Sequence, residues 1–439
     1  MEVLVKIAQL IVALSILVIV HEFGHFILAK LFNTRVEKFY LFFNPGFSIF
    51  KFRKGETEYG MGWLPLGGYV KISGMIDESM DKDQMQKPPQ PYEFRSKPSW
   101  QRLLIMLGGV IMNFLLAILI YASVLFVWGE QYLPADNVKY GIAADSLAES
   151  IGFQDGDKVL AVGGKEVQRF SDIPKNILLN KANEVTVLRD GQPQTVHIPD
   201  TVFPQIINDP GFISYRVPSV IGGFSENSPA RQAGLQEGDR IVQINGKDVK
   251  YFDQLRGVLK GKKNEEISLM VERNGETRQY SLTTTQDGLI GFYVGNVSEY
   301  FDIEEVNYSF VGAIPAGINK GIETFREYLK QLGLIFTPDT ELYKEVGGFI
   351  TIGKIFPGAW NWYAFWNLTA FLSIILAILN ILPIPALDGG HVMFLLYEII
   401  SGQKPSEKFL EYAQIAGMLI LFSILIYANG NDIVKLFSN

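Results

Sequence analysis

Four long apolar runs stand out along the chain, at residues 7–32, 103–128, 362–382 and 409–428. Each approaches or exceeds the roughly 20 residues that an α-helix needs to cross a bilayer core, so the pattern predicts four transmembrane helices. The first run is read as a retained span. Only Lys6 is basic ahead of it, and the apolar stretch continues far past the length of a signal-peptide core. Polar residues return between the second and third runs. There, 146-SLAESIGFQDGDKVLAVGGKEV-167 matches 228-SPARQAGLQEGDRIVQINGKDV-249 at a constant offset of 82. Each copy reads as a short helix, a Gly-Asp turn, a strand and a two-residue hairpin turn.

Loop charge suggests an orientation. Residues 30–102 carry 12 Lys/Arg against 8 Asp/Glu, whereas residues 129–360 carry 23 against 31. Basic residues beside span ends mark the cytoplasmic side. The N-terminus, residues 129–360 and the C-terminus are therefore expected outside, and residues 33–102 inside. Composition agrees with a membrane protein: 48% hydrophobic, 13% aromatic, mean hydropathy +0.15. The net charge of −7 argues against nucleic-acid binding, and the absence of cysteine removes disulfides and thiolate ligands.

The first run contains 21-HEFGH-25. On a helix, positions i and i+4 share a face, so His21 and His25 can reach one cation with Glu22 beside them, the arrangement of HExxH zinc peptidases. Ionisable groups deep in a span cost a few kcal/mol each, which favours a functional reading over a structural one. A catalytic zinc takes three protein ligands and keeps a position for water. The favoured third ligand is Asp388 in 378-ILNILPIPALDGGHVMF-394, where Pro383 and Pro385 break the helix and Gly389 and Gly390 loosen the chain. His391, three residues on, is the alternative ligand or a supporting group.

Taken together, HEFGH in the first span, NILPIPALDGGH in a late span and the exported repeat resemble the site-2 protease family of intramembrane metalloproteases, most closely its regulator of sigma-E protease type. The repeat itself resembles bacterial PDZ domains, which bind extended peptides at a sheet edge. The resemblance implies Zn2+ held by His21, His25 and Asp388, Glu22 as catalytic base, and Asn380, Pro383 and Pro385 at the substrate strand. The stretch 56-ETEYGMGWLPLGGYVKIS-73 resembles the family's membrane-reentrant β-loop, with Gly67 and Gly68 beside the substrate. Val110 and Phe349 stand where proline is common in the family.

The expected fold is thus a multi-pass α-helical membrane protein of about four spans, with a membrane-associated β-hairpin and two exported PDZ-like α+β domains. Its parts are 1–128, an N-terminal membrane metalloprotease part; 129–215 and 216–300, the two PDZ-like domains; 301–360, an amphipathic surface helix with a linker; and 361–439, a C-terminal membrane part. Residues 77–99 read as a mobile polar loop, and 308–336 as a helix lying on the outer surface. The implied activity is zinc-dependent hydrolysis of transmembrane segments in single-span proteins. Substrates would be anti-sigma factors already trimmed outside, or spent signal peptides, in the bacterial inner membrane, with the active site toward the cytoplasm. The PDZ pair would act as a size filter or dock an extended peptide. Competing readings are a non-catalytic PDZ-bearing membrane scaffold and a metalloprotease acting on exported soluble substrates.

Overall fold

A computed structural model describes residues 1–65, 67–75, 88–209, 211–337 and 342–438. The chain divides into two compact units. One comprises residues 1–129, 307–336 and 342–439; the other comprises 130–306 and 337–341.

The first unit is helical around a small sheet. Its helices are α1 (Glu2–Leu31), α2 (Ser99–Trp128), α3 (Phe310–Ile335), α4 (Phe349–Ile355), α5 (Trp362–Ile381), α6 (Asp388–Ser401) and α7 (Glu407–Ser438). Among the described residues, α1, α2, α5 and the 408–437 stretch of α7 are long and apolar enough to cross a membrane. Helices α1 and α2 run antiparallel and meet at glycines: a Cβ on Gly24 would lie 2.2 Å from the Gly108 carbonyl oxygen. Without side chains at the crossing the backbones pack directly, the usual device where lipid offers no hydrophobic drive.

The helix of the third apolar run is followed by a break. After α5 ends at Ile381, Leu387 N–H donates to the Ile384 carbonyl at 3.0 Å, closing a tight turn through Pro385 and Ala386 before α6 begins at Asp388. Gly390 abuts Pro385, and a Cβ on Gly417 of α7 would lie 1.5 Å from the Pro385 carbonyl oxygen. The break is thus enclosed by protein, which is what non-helical backbone at membrane depth requires. At the other end of α6, Glu398 accepts from Arg102 at 2.5 Å and from Ser99 at 2.9 Å, fastening α6 to the start of α2.

The sheet between α1 and α2 contains β1 (Val36–Leu41), β2 (Phe43–Lys54), β3 (Thr57–Leu64) and β4 (Tyr69–Ile72), in the order β2-β3-β1-β4. This corrects the hairpin expected at 56–73. β3 and β4 do not pair with each other, because β1 lies between them, parallel to β3 and antiparallel to β4. The hairpin is β2–β3 instead. Residues 77–87 of the expected polar loop lie outside the described residues. The part that follows is anchored, with Glu93 and Phe94 buried.

Residues 308–336 also depart from expectation. The helix forms, yet α3 does not lie on a surface: it runs antiparallel along α2, with Phe310 against Phe126 and Phe325 against Phe114. Gly317 faces Ala122, and Gly321 faces Ile118. Ala313, Gly317 and Gly321 make a buried stripe at four-residue spacing that admits α2 closely, while the charged positions take the other faces.

The second unit repeats one arrangement. Strands 192–197, 184–189, 158–162 and 165–166 form a sheet in that order, and 276–283, 266–273, 240–244 and 247–248 form its counterpart. Each has its own apolar core. The repeated Gly-Asp turn has a shared cause: Asp157 accepts from Gln154 N–H at 2.9 Å and Asp239 from Gln236 N–H at 2.9 Å, and each buried carboxylate also takes an arginine, Arg189 or Arg273. Beyond the second module the chain returns to the first. Phe301 enters the first core, and 304–306 pairs with 130–132.

Candidate metal centre and substrate cleft

Helix α1 brings His21 and His25 onto one face, and the break after α5 carries Asp388 to them. The Nε2 atoms of the two histidines are 3.3 Å apart, and Asp388 Oδ2 is 3.2 Å from each. Ligands about 2.0–2.2 Å from a tetrahedral zinc lie roughly 3.3–3.5 Å from one another, so this triangle has the spacing of three zinc ligands. Asp388 Oδ2 is buried and has no hydrogen-bond donor. A carboxylate oxygen left bare against two ring nitrogens is what a missing cation would leave, so the donor set fits zinc. Among the described residues, His21, His25 and Asp388 form the one group of at least three His, Asp or Glu side chains able to hold a metal.

The surrounding groups hold the imidazoles. His25 Nδ1 is 2.8 Å from the Ile105 carbonyl, an acceptor only, so the proton sits on Nδ1 and Nε2 keeps its lone pair. His21 Nδ1 is 3.2 Å from the side-chain amide of Asn113. Gly109 makes room for both rings: a Cβ there would lie 2.5 Å from His21 Cε1 and from His25 Nε2. Asn113 and the Gly24–Gly108–Gly109 contact went unnoticed in the sequence, although an asparagine and paired glycines inside an apolar run were visible signals.

A cavity of about 790 Å³ opens on this centre, lined by His21, Glu22, His25, Asp388, His391 and Asn380 among others. Glu22 lies at the rim of β4: its Cγ would be 3.3 Å from a Cβ on Gly68, and its carboxylate accepts from Val70 N–H. Gly67 and Gly68 line the cavity. Pro383 and Pro385 do not; Pro385 instead shapes the turn that delivers Ala386, Leu387 and Asp388 to the wall. His391 lines the cavity but lies outside the group of three. β4 ends the sheet order, so among the described residues one edge of this strand has no strand partner, and residues of β4 line the cavity beside the centre.

Four apolar helices, sheets outside the spans and an HExxH helix completed by a distant aspartate define a membrane-embedded metallopeptidase. The profile of peptidase family M50 matches residues 9–424, and the chain belongs to that family of zinc metalloproteases. Similar proteins include "Regulator of sigma E protease" of Haemophilus influenzae, 30% identical over 99% of this chain and all of that one. "Protease RseP" of Yersinia pestis is also 30% identical with the same coverage. "Regulator of sigma-E protease RseP" of Salmonella typhimurium is 28% identical, again over 99% and 100% of the two chains.

Proposed function

We propose that this zinc metalloprotease cuts the transmembrane segments of single-span proteins, with His21, His25 and Asp388 as metal ligands and Glu22 as general base. The observation that carries the proposal is the 3.2–3.3 Å triangle of ligand atoms at the wall of a cavity bordered by an open strand edge. Zinc bound there would polarise the scissile carbonyl and bring the pKa of water to about 7.

The chain's own residues supply the rest. A helical substrate has its amides bonded internally and must be unwound before hydrolysis. The edge of β4 offers backbone donors and acceptors to which an extended segment adds as a strand. The cavity's apolar lining, Leu14, Val18, Phe43 and Leu376 among it, suits the side chains of such a segment. Glu22 takes the proton from the attacking water and returns it to the leaving nitrogen. Asn380 stands in the cavity wall as a polar contact for the substrate backbone, and Gly67 and Gly68 keep the approach to β4 free of side chains.

The likeness to regulators of sigma E suggests the substrate class: anti-sigma-factor-like proteins trimmed by an earlier protease, and remnant signal peptides, in envelope-stress signalling at the bacterial inner membrane. The loop charges support an orientation with the cavity toward the cytoplasm and residues 130–306 outside. The two modules there are PDZ-like in their strand order and Gly-Asp turns, and would select substrates by size or hold an extended peptide.

The deciding experiment pairs metal analysis with cleavage of a reconstituted single-span substrate. Wild type should hold one zinc per chain and cut inside the span; Glu22→Gln should keep the zinc and lose about 10²- to 10⁴-fold in rate. A Glu22→Gln variant that cuts like wild type removes Glu22 from the chemistry. Cleavage confined to soluble substrates removes the intramembrane reading.

A further inference from the structure

We infer that Asn113 is the positioning residue for the metal site, a reversible amide that sets which nitrogen of His21 carries the proton. The inference rests on the ligand assignment proposed above and goes beyond it to a residue on a different helix.

His25 has a backbone carbonyl to fix its tautomer; His21 does not. The group facing His21 Nδ1 is the Asn113 side chain, whose Nδ2 is 3.2 Å away. Asn113 is fully buried, and its Oδ1 has no partner. Buried amide oxygens are seldom left bare, and the two ends of an asparagine amide exchange by a half-turn about the last side-chain bond. With Nδ2 toward the ring, Nδ1 must accept, so the proton sits on Nε2 and competes with a cation for that nitrogen. With Oδ1 toward the ring, Nδ1 donates, Nε2 keeps its lone pair, and His21 becomes a ligand equivalent to His25. The side chain therefore matches both protonation patterns of His21 without moving its helix, something neither a carboxylate nor an apolar residue can do.

The placement of Asn113 is itself braced. Its backbone carbonyl accepts from the Ser373 hydroxyl at 2.7 Å, tying α2 to α5 at this level, and Ser373 is fully buried. Gly109, one turn earlier on α2, leaves the space into which His21 turns.

The test is zinc affinity of the full-length protein by chelator competition, with thermal melting of the metal-free form as the control for structure. Asn113→Leu removes the acceptor and should weaken zinc binding about 10- to 100-fold, the usual effect of losing a group that orients a metal ligand. Asn113→Asp keeps an acceptor toward Nδ1–H and should hold zinc at least as tightly as wild type. The metal-free Asn113→Asp protein should melt no higher than wild type, because only the metal-bound pattern is favoured. Equal losses in both variants would overturn the acceptor role and leave packing. Unchanged affinity in Asn113→Leu would overturn it altogether. Failure of the ligand assignment would look different: wild type itself would bind no zinc, or His21→Ala would bind it as tightly as wild type.

Discussion

Gly24 and Gly108 meet backbone to backbone, and this contact sets the distance between the helix that carries HEFGH and the helix that orients it. One residue along, His25 reaches the Ile105 carbonyl; one helical turn back, His21 reaches Asn113. Both contacts depend on α1 and α2 lying as close as two glycines allow.

Gly24→Ala should therefore damage the centre from outside it. The added methyl must displace a carbonyl, a rigid neighbour, and displacements near 1 Å cost about 10²-fold in activity. Gly109→Ala should go further and lower zinc content as well, since its methyl would enter the space of both rings. Zinc stoichiometry and cleavage rate measured on folded, reconstituted variants check this; wild-type values in Gly109→Ala would show that the rings sit elsewhere.

Asp388→Ala should lose zinc to a chelator that leaves wild type loaded, together with all activity. His391→Ala should keep the metal, because His391 faces the cavity outside the ligand triangle. The opposite pattern of zinc retention would exchange the two assignments.

Ala386 is held at φ +84° in the turn between α5 and α6, a left-handed conformation that a type II turn normally gives to glycine. A non-glycine residue there stores about 1–3 kcal/mol, from which glycine's greater freedom in the unfolded chain must be subtracted. Ala386→Gly should raise the melting temperature by the equivalent of about 1 kcal/mol and Ala386→Val should lower it. If both variants melt with wild type, the turn bears no strain.

Arg216 joins the two modules of the second unit. It donates to Asp155 at 2.7 Å and to Asp253 at 2.9 Å, and its guanidinium lies 4.2 Å from the Tyr251 ring centroid. Burial pushes the Asp253 carboxyl above the ordinary aspartate range, with Arg216 acting against it. A carboxyl raised in the folded state binds protons there more readily than in the unfolded chain, so its burial costs stability as pH rises from about 4 through the raised value. Arg216→Leu removes the compensating charge and should destabilise the module pair by about 3 kcal/mol at pH 7 and by less at pH 4.5. Melting at the two pH values measures the difference; an equal loss at both would remove Asp253 from the explanation.

The strand pair 130–132 with 304–306 closes the second unit, so replacing residues 134–302 by a short linker keeps that pair. The shortened protein should retain zinc and should cut substrates whose outer domain is still folded. A domain of about 100 residues has a radius of gyration near 13 Å, large enough for two folded modules to exclude. An undiminished preference for trimmed substrate would leave docking as the role of the modules.

The residues of the proposed centre stood out in the sequence because charge in or beside an apolar run is costly: His21, Glu22 and His25 in the first run, and Asp388 just past the third. Helix periodicity sufficed to put His21 and His25 on one face, and length sufficed for four spans. The Gly-Asp turns of the repeat were equally visible, since their cause is local, a carboxylate capping a turn three residues away. Long-range partners were not legible. The order β2-β3-β1-β4 depends on β1, about 20 residues earlier, inserting between the sequence neighbours β3 and β4, and no pattern within 56–73 encodes that. The charges of α3 suggested a surface, while its stripe of Ala313, Gly317 and Gly321 made sense only against α2. Asn113 looked like one polar residue in a span until folding set it beside His21. Which side chain completes the shell of a histidine about 90 residues away is decided by how closely two helices approach, and that distance exists only in the folded protein.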